Sequence, residues 1–119
     1  MSEKEKRLML SEKTIGRILD FRDDRNWSQF HNPKDLAISI CLEASELLEI
    51  FQWSASDTSD EGKQDRIKDE LADVINYCIL MADCCGLELD KIINEKIDKN
   101  GQKYPVDRAY GTNQKYTEL

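Results

Sequence analysis

Four carboxylates in two pairs are the residues of this sequence best suited to chemistry. The pairs are Glu43-x-x-Glu46 and Glu70-x-x-Asp73. On a helix, a spacing of three residues places both members of a pair on one face. Glu43 is also in register with the apolar stripe that contains Ile40. We therefore expect the four acids to face the interior of the protein or its rim.

Grouped carboxylates repel one another, and each is costly to remove from water without a partner. A hard divalent cation offsets that cost, and Mg²⁺ leaves coordination positions for waters and substrate phosphates. A single pair of this kind is usually a solvated face or a partner for Lys and Arg. Two pairs on consecutive helices, both beside apolar stripes, favour a metal site. A di-iron bundle would require Glu-x-x-His on two helices, whereas the only histidine, His31, is predicted in a loop.

Aromatic and imidazole side chains accompany the acids. Three of them lie just before the helix that carries the first pair. The other two lie seven residues after Glu46 and seven residues after Glu70. These rings can stack on a nucleobase, and the alternative is that they are core or cap residues. The candidates for base contacts are Trp27, Phe30, His31, Trp53 and Tyr77.

A polar stripe near the C-terminus consists of Lys96, Asn100 and Lys103, at spacings of four and three residues. Such a stripe can hold phosphate oxygens. Taken alone it is also typical of solvated helix surface.

The elements that position these residues are predicted to be four helices, because apolar residues recur at helical spacing and no strand pattern competes. Start signals are Ser11, Asn32-Pro33 and a capping box at Thr58-x-x-Glu61, and Gly86 is a stop signal. The sequence thus predicts an all-α, four-helix bundle-like domain over residues 1–119, with residues 105–119 as an extended arm. The predicted helices span about residues 12–24, 33–53, 61–85 and 88–102.

Composition narrows the class of protein. A length of 119 residues allows one modest core, and the net charge of −7 argues against a nucleic acid partner. No apolar run is long enough to span a bilayer, and no signal-peptide pattern follows Met1.

The four cysteines form no C-x-x-C pair, and three fall in apolar stretches. We expect reduced core thiols, no zinc site and a cytoplasmic protein.

Together these motifs resemble a known family. The run Trp27-Ser-Gln-Phe-His-Asn-Pro, the two acid pairs and Lys103-Tyr104-Pro105 are similar to the MazG-like nucleotide pyrophosphohydrolases. The resemblance is closest to their dCTP pyrophosphatase branch, and it extends from about Phe21 to Leu119. The ordered set is specific, with 23 residues between the two acid pairs.

This resemblance implies an all-α nucleoside triphosphate pyrophosphatase fold, completed by assembly as a dimer or a dimer of dimers. It implies hydrolysis of a triphosphate such as dCTP to monophosphate and pyrophosphate, in a house-cleaning role. Two departures bear on these expectations. Leu42 stands where the widest family motif has a further acid, and Ile18 stands where the close branch often has a histidine near the base. The resemblance assigns Mg²⁺ to Glu43, Glu46, Glu70 and Asp73, base contacts to Trp27, Phe30, His31, Trp53 and Tyr77, and phosphate contacts to Lys96, Asn100, Lys103 and Tyr104.

Two alternatives remain open at this point. One is a related enzyme that acts on dUTP or phosphoribosyl-ATP, although the aromatic loop favours a pocket that reads a base. The other is a non-catalytic helical dimerisation module, which would have no need for four inward acids and would not respond to Mg²⁺.

Overall fold

The computed structural model describes all 119 residues and contains only helices and turns. The predicted all-α fold class is therefore confirmed. Five of the eight elements belong to the first part of the chain, before Gly86. The elements are α1 (Glu3–Arg7), α2 (Glu12–Asp24), a 3₁₀ turn (Trp27–Phe30), α3 (Pro33–Glu49), α4 (Gln64–Cys84), α5 (Leu89–Lys103), α6 (Val106–Ala109) and a second 3₁₀ turn (Tyr116–Glu118).

Local start signals set the beginnings of α2 and α3. The Ser11 hydroxyl accepts a hydrogen bond from the Thr14 amide at 3.2 Å. The Asn32 side chain accepts one from the Asp35 amide at 2.9 Å, and Pro33 occupies the first turn of α3. These caps satisfy amide groups that have no partner within the helix. The predicted starts of both helices are confirmed.

Helix α3 ends earlier than predicted, at Glu49 instead of Trp53. The amides of Ile50 and Phe51 donate to carbonyls three residues back, so the last turn tightens and the α-helix stops. Ile50 is only 1% exposed and anchors this turn in the core. Trp53 therefore lies outside the helix.

Helix α4 begins at Gln64, three residues after the predicted start, and the proposed capping box at Thr58 and Glu61 does not form. Lys63 takes the N-cap position without a side-chain cap. Its ammonium group pairs with Asp57 and lies 5.0 Å from the centroid of the Phe51 ring. Tertiary contacts in the preceding loop thus replace the predicted local signal. At the other end, Gly86 adopts a positive φ of 65°, as the predicted helix stop requires.

Residues Met1–Gly86 form one compact unit. In this unit α4 is the central helix, because both α3 and α2 pack against it. The core is small, and many large apolar side chains on α3 and α4 stay exposed in the single chain, Leu71 among them at 44%. The buried apolar residues are Leu36, Ile50, Ile79, Leu80 and Ala82.

Residues Leu87–Leu119 form a second compact unit. Within it the Tyr104 ring meets the Tyr116 ring edge-on at 5.9 Å, and the Lys103 ammonium lies 4.9 Å from the centroid of Tyr116. Ile93 and Ile97 of α5 are 54% and 59% exposed in the single chain. The single domain over residues 1–119 remains a prediction, and α6 and a 3₁₀ turn lie in its C-terminal arm.

The four cysteines carry free thiols, as expected, but all are exposed in the single chain instead of buried. No helix of this chain combines the length and the apolar character needed to cross a membrane.

Candidate active site

Three of the four acids come together between α3 and α4. Carboxylate oxygens of Glu43, Glu46 and Glu70 all lie within 4.8 Å of one another. Glu43 and Glu70 are half-buried, whereas Glu46 is exposed. The helix spacing of Glu43 and Glu46 brings both to one face of α3, and the packing of α3 on α4 supplies Glu70 from the other side.

The electrostatics of this group are unfavourable in the absence of a cation. The pKa of Glu43 is raised, first by burial and then by the neighbouring Glu46 carboxyl, with repulsion from Asp73 and Glu70 adding to it. The pKa of Glu70 is also raised, first by the neighbouring Glu46 carboxyl and then by burial and repulsion from Asp73 and Asp69. Asp73 contributes repulsion to both groups, so it belongs to the same electrostatic cluster although it is not one of the three closest acids.

The donor set fits a divalent metal ion. One oxygen each of Glu43 and Glu70 is buried without a hydrogen-bond partner. Buried carboxylate oxygens are normally paired or bound to a cation. All available ligands are oxygens, which hard cations such as Mg²⁺ and Ca²⁺ prefer. The exposed side of Glu46 leaves room for waters or phosphates.

A cavity of about 340 Å³ opens beside these acids, between α2, α4 and the first 3₁₀ turn. Asp73 lines it, so one carboxylate of the cluster reaches into the cavity. The lining residues of each helix follow the i, i+3, i+4, i+7 pattern of a single helical face. They are Thr14, Arg17, Ile18 and Phe21 from α2, Trp27 from the turn, and Asp73, Asn76, Tyr77 and Leu80 from α4.

Aromatic contacts hold the wall formed by α2 and the turn. The Phe21 and Trp27 rings meet edge-on, with centroids 5.8 Å apart. The Arg25 guanidinium lies 3.6 Å from the Phe21 centroid and donates a hydrogen bond to the Phe21 carbonyl. Asn26, just before Trp27, has a positive φ of 52° and turns the chain back toward α2. The wall can therefore present a fixed aromatic surface to a planar ligand.

The predicted base contacts divide into two groups. Trp27 and Tyr77 line the cavity, whereas Phe30 and Trp53 do not and are 64% and 79% exposed. His31 is half-buried, and its Nδ1 atom has no hydrogen-bond partner. Contacts of Phe30, His31 and Trp53 with a base remain predictions.

The predicted phosphate contacts lie in the second compact unit. Lys96 and Asn100 are exposed on α5, and Lys103 and Tyr104 are at its C-terminal end. Lys103 and Tyr104 both contact Tyr116, as described above, so their side chains are partly held in place. The role of all four residues in phosphate binding remains a prediction.

Sequence reasoning missed several residues of the cavity wall, namely Thr14, Arg17, Phe21, Asn76 and Leu80. A signal was present for those on α4, because Asn76 and Leu80 continue the helical face that begins at Asp73. The α2 residues carried no such signal, since a Thr and an Arg on a helix usually indicate solvated surface.

The cluster of acids on paired helices, next to an aromatic cavity, is the arrangement that the motifs indicated for a nucleotide-hydrolysing family. A family model described as MazG-like matches residues 38–119. This match covers more than half of the chain, which therefore belongs to the MazG-like family.

Individual relatives agree with this assignment. The chain is 37% identical to dCTP pyrophosphatase 1 of Mus musculus over 107 residues, and 35% identical to that of Rattus norvegicus over 105 residues. Each match covers 84% of this chain but 62% of the relative, so the chain spans less than two thirds of their length. The fold is similar to a crystal structure of a pyrophosphatase from Archaeoglobus fulgidus DSM 4304, with a TM-score of 0.74 and 38% identity, over 79% of this chain and 91% of that one. The predicted resemblance to the dCTP pyrophosphatase branch is thus confirmed.

Proposed function

We propose that this protein is a Mg²⁺-dependent pyrophosphohydrolase that cleaves deoxynucleoside triphosphates, with dCTP foremost, to a monophosphate and pyrophosphate. One observation carries the proposal: Asp73 belongs both to the acid cluster and to the lining of the aromatic cavity. A triphosphate bound at the acids would therefore have its base directed into a cavity able to hold it. The similarity to two dCTP pyrophosphatases supports the same activity.

The acids would act as ligands and as proton acceptors. Glu43, Glu46, Glu70 and Asp73 would hold Mg²⁺, which would supply positive charge to offset that of the triphosphate. Binding would also relieve the repulsion that raises the pKa values of Glu43 and Glu70. One of these four acids, or Glu49 one turn further along α3, would accept the proton of the attacking water.

The cavity would bind the base through stacking. Trp27 and Tyr77 come from different elements and both face the cavity. A planar base between such rings gains stacking energy, and the apolar wall at Phe21 and Leu80 excludes water. Stacking does not distinguish one base from another, so these two rings alone do not separate dCTP from the dUTP or phosphoribosyl-ATP alternatives.

Three polar residues of α5 are proposed to bind phosphate oxygens of a substrate. Lys96, Asn100 and Lys103 follow one helical face of α5, and a Lys ammonium binds phosphate oxygens as a point charge. Tyr104 would add a hydroxyl donor.

A homo-oligomer, either a dimer or a dimer of dimers, is part of the proposal. Large apolar side chains on α3 and α4 are exposed in the single chain, with Leu42 at 60% and Leu48 at 64%. Monomeric proteins seldom leave so many large apolar residues uncovered on neighbouring helices. A second copy would cover them.

We also propose that the protein is cytoplasmic and that its role is to remove unwanted nucleotides. Four free thiols without any disulfide favour a reducing compartment. A net charge of −7 disfavours binding to nucleic acid.

The test is a screen of common ribonucleoside and deoxyribonucleoside triphosphates with Mg²⁺, in which pyrophosphate and orthophosphate are measured separately. We expect pyrophosphate and a monophosphate, with dCTP among the best substrates. Reaction in ¹⁸O-labelled water should place the label in the monophosphate, as attack at the α phosphorus requires. Release of orthophosphate and a nucleoside diphosphate would exclude this enzyme class.

A further inference from the structure

The cavity wall contains a cationic side chain, Arg17, to which no role has yet been given. It lies one helical turn after Thr14 and one turn before Phe21, and it forms no ion pair within the chain. The other two arginines nearby are engaged. Arg22 pairs with Asp23 at 2.8 Å and Asp83 at 2.6 Å, and Arg25 is held on Phe21. Arg17 is therefore the guanidinium of this wall that is available to a ligand.

Asn76 faces the same cavity from α4. It lies one turn after Asp73 and next to Tyr77, and it is half-buried. No other side chain or backbone group of the chain forms a hydrogen bond with its carboxamide. Its carboxamide therefore remains available to bind water or a ligand in the cavity.

The pairing of α2 with α4 places Arg17 and Asn76 in the middle of the cavity. Arg22 and Asp83 join the later turns of the two helices, and the earlier turns of both line the cavity. The helices therefore run past it in the same direction. Thr14 and Asp73 stand at the end near the acids, while Phe21 and Leu80 stand at the aromatic end. A base whose phosphates lie at Asp73 would have its edge at the level of Arg17 and Asn76.

We propose that Arg17 and Asn76 determine base specificity and select cytosine, an inference that rests on the nucleotide hydrolysis proposed above. A guanidinium offers only donors, in a planar fork. The O2 and N3 atoms of cytosine are adjacent acceptors that match this fork, and the amide oxygen of Asn76 accepts from the exocyclic amino group. Uracil and thymine carry a donor at N3, which would face the donors of Arg17. The polar recognition absent at Ile18 is thus supplied by its neighbour Arg17 and by Asn76.

The first experiment compares Arg17→Met with wild type on dCTP, dUTP and 3-deaza-dCTP, in which C–H replaces the N3 acceptor. Loss of a charge-assisted hydrogen bond predicts a fall in kcat/KM for dCTP of roughly 10- to 100-fold. The value for dUTP should fall by a smaller factor than the value for dCTP, since uracil keeps the O2 acceptor but carries a donor at N3. Wild type should also lose activity on 3-deaza-dCTP, and the further loss caused by Arg17→Met on this substrate should be smaller than its loss on dCTP, because only the bond to O2 is left to remove. Asn76→Leu should lower the preference for dCTP over dUTP.

The matched control is Lys13→Met, which removes a positive charge from an exposed position of α2 outside the cavity lining. It should leave the substrate ranking unchanged. An equal loss for dCTP and dUTP in Arg17→Met would overturn the proposal, because it would mean contact with phosphate or sugar. An unchanged ranking would overturn it as well, since Arg17 would then be solvated surface.

Binding without hydrolysis separates this inference from the proposed function. In a Trp53→Phe background, Trp27 is the only tryptophan, so quenching of its fluorescence reports occupancy of the cavity. We expect dCMP to bind at least tenfold more tightly than dUMP, and Arg17→Met to remove that difference. Selective binding in a protein that hydrolyses no triphosphate would refute the proposed function and retain the base selectivity. Equal binding of both monophosphates would refute the selectivity alone.

Discussion

Replacing Glu46 by Gln should stabilise the metal-free protein and weaken its response to Mg²⁺. Carboxylate oxygens of Glu46, Glu43 and Glu70 lie within 4.8 Å of one another, and these three are the closest acids of the cluster. Removing its charge relieves repulsion without removing volume. The structure thus predicts opposite effects of one substitution in the absence and in the presence of the cation.

The size of the effect follows from Coulomb's law. At the upper limit of 4.8 Å between the carboxylate oxygens of the cluster, the repulsion between two unit charges is about 0.9 kcal/mol at the dielectric constant of water and about 3.5 kcal/mol at an effective value near 20. Glu46 is exposed, so solvent and salt screen its charge and the lower figure is the better guide. A gain of about 1 kcal/mol raises the Tm of a chain of this size by about 4 °C.

The assay is thermal unfolding with and without Mg²⁺, at ionic strength matched with NaCl. Without metal, Glu46→Gln should melt above wild type. Mg²⁺ at ten times its Kd should add about 1.4 kcal/mol to wild type and much less to the variant, which reverses their order. Asp20→Asn serves as control, because Asp20 is an exposed acid of α2 outside the cluster. Equal responses of all three proteins to Mg²⁺ and to NaCl would refute the metal site and leave a solvated acidic face.

Asp73→Asn should lower kcat/KM more than about 100-fold while circular dichroism stays unchanged, and retained activity would contradict its role as a ligand. Trp27→Ala should weaken nucleotide binding by roughly 1–3 kcal/mol in titration calorimetry; Trp53→Ala should do the same if Trp53 contacts the base, and an unchanged Kd would remove it from the site. Leu71→Asp should shift the sedimentation coefficient from an oligomer toward a monomer, whereas a monomeric wild type with full activity would contradict the oligomer. Arg22→Met should lower the free energy of unfolding by about 1 kcal/mol in urea, because the link between α2 and α4 is lost, and no change would mean that the ion pair contributes nothing.

The metal-free protein should also show a defined pH dependence. The raised pKa of Glu43 means that the folded state holds a proton that the unfolded state releases. Stability is therefore greatest at or below the ordinary carboxyl range and falls as pH rises through the raised value. Urea unfolding between pH 4 and pH 8 measures this slope. If the stability of the metal-free protein instead rises with pH over the carboxyl range, repulsion at Glu43 does not control its free energy of unfolding in solution.

The sequence predicted those features that depend on short-range chemistry. Ser11 and Asn32 start helices because their side chains cap backbone amides locally, and Gly86 ends one because it tolerates a positive φ. The meeting of Glu43 with Glu70 was also predictable, since both acids border apolar stripes on consecutive helices. The role of Glu43 and Glu70 in nucleotide hydrolysis, by contrast, was inferred from the family resemblance and not from their spacing.

The features that sequence did not predict depend on tertiary packing. Helix α3 stops at Glu49 because Ile50 packs into the core in a tighter turn, which displaced Trp53 from the predicted helix. The start of α4 depends on the contacts of Lys63 with the loop, and not on a capping box. Arg17 looked like ordinary helix surface until α4 was placed opposite it.

Helix α4 links the two halves of the proposed chemistry. Asp73, Asn76 and Tyr77 lie within one helical turn, so the helix fixes the distance between a carboxylate of the acid cluster and the groups that would read the base. This rigidity depends on the buried residues Ile79 and Leu80, which follow directly and pack into the core. In the proposed site, a single helix would couple base recognition to the acids: a nucleotide whose base does not fit beside Asn76 would not place its phosphates correctly at Asp73. Specificity in such a site would therefore appear in kcat as well as in KM, because a misplaced base displaces the reacting phosphate.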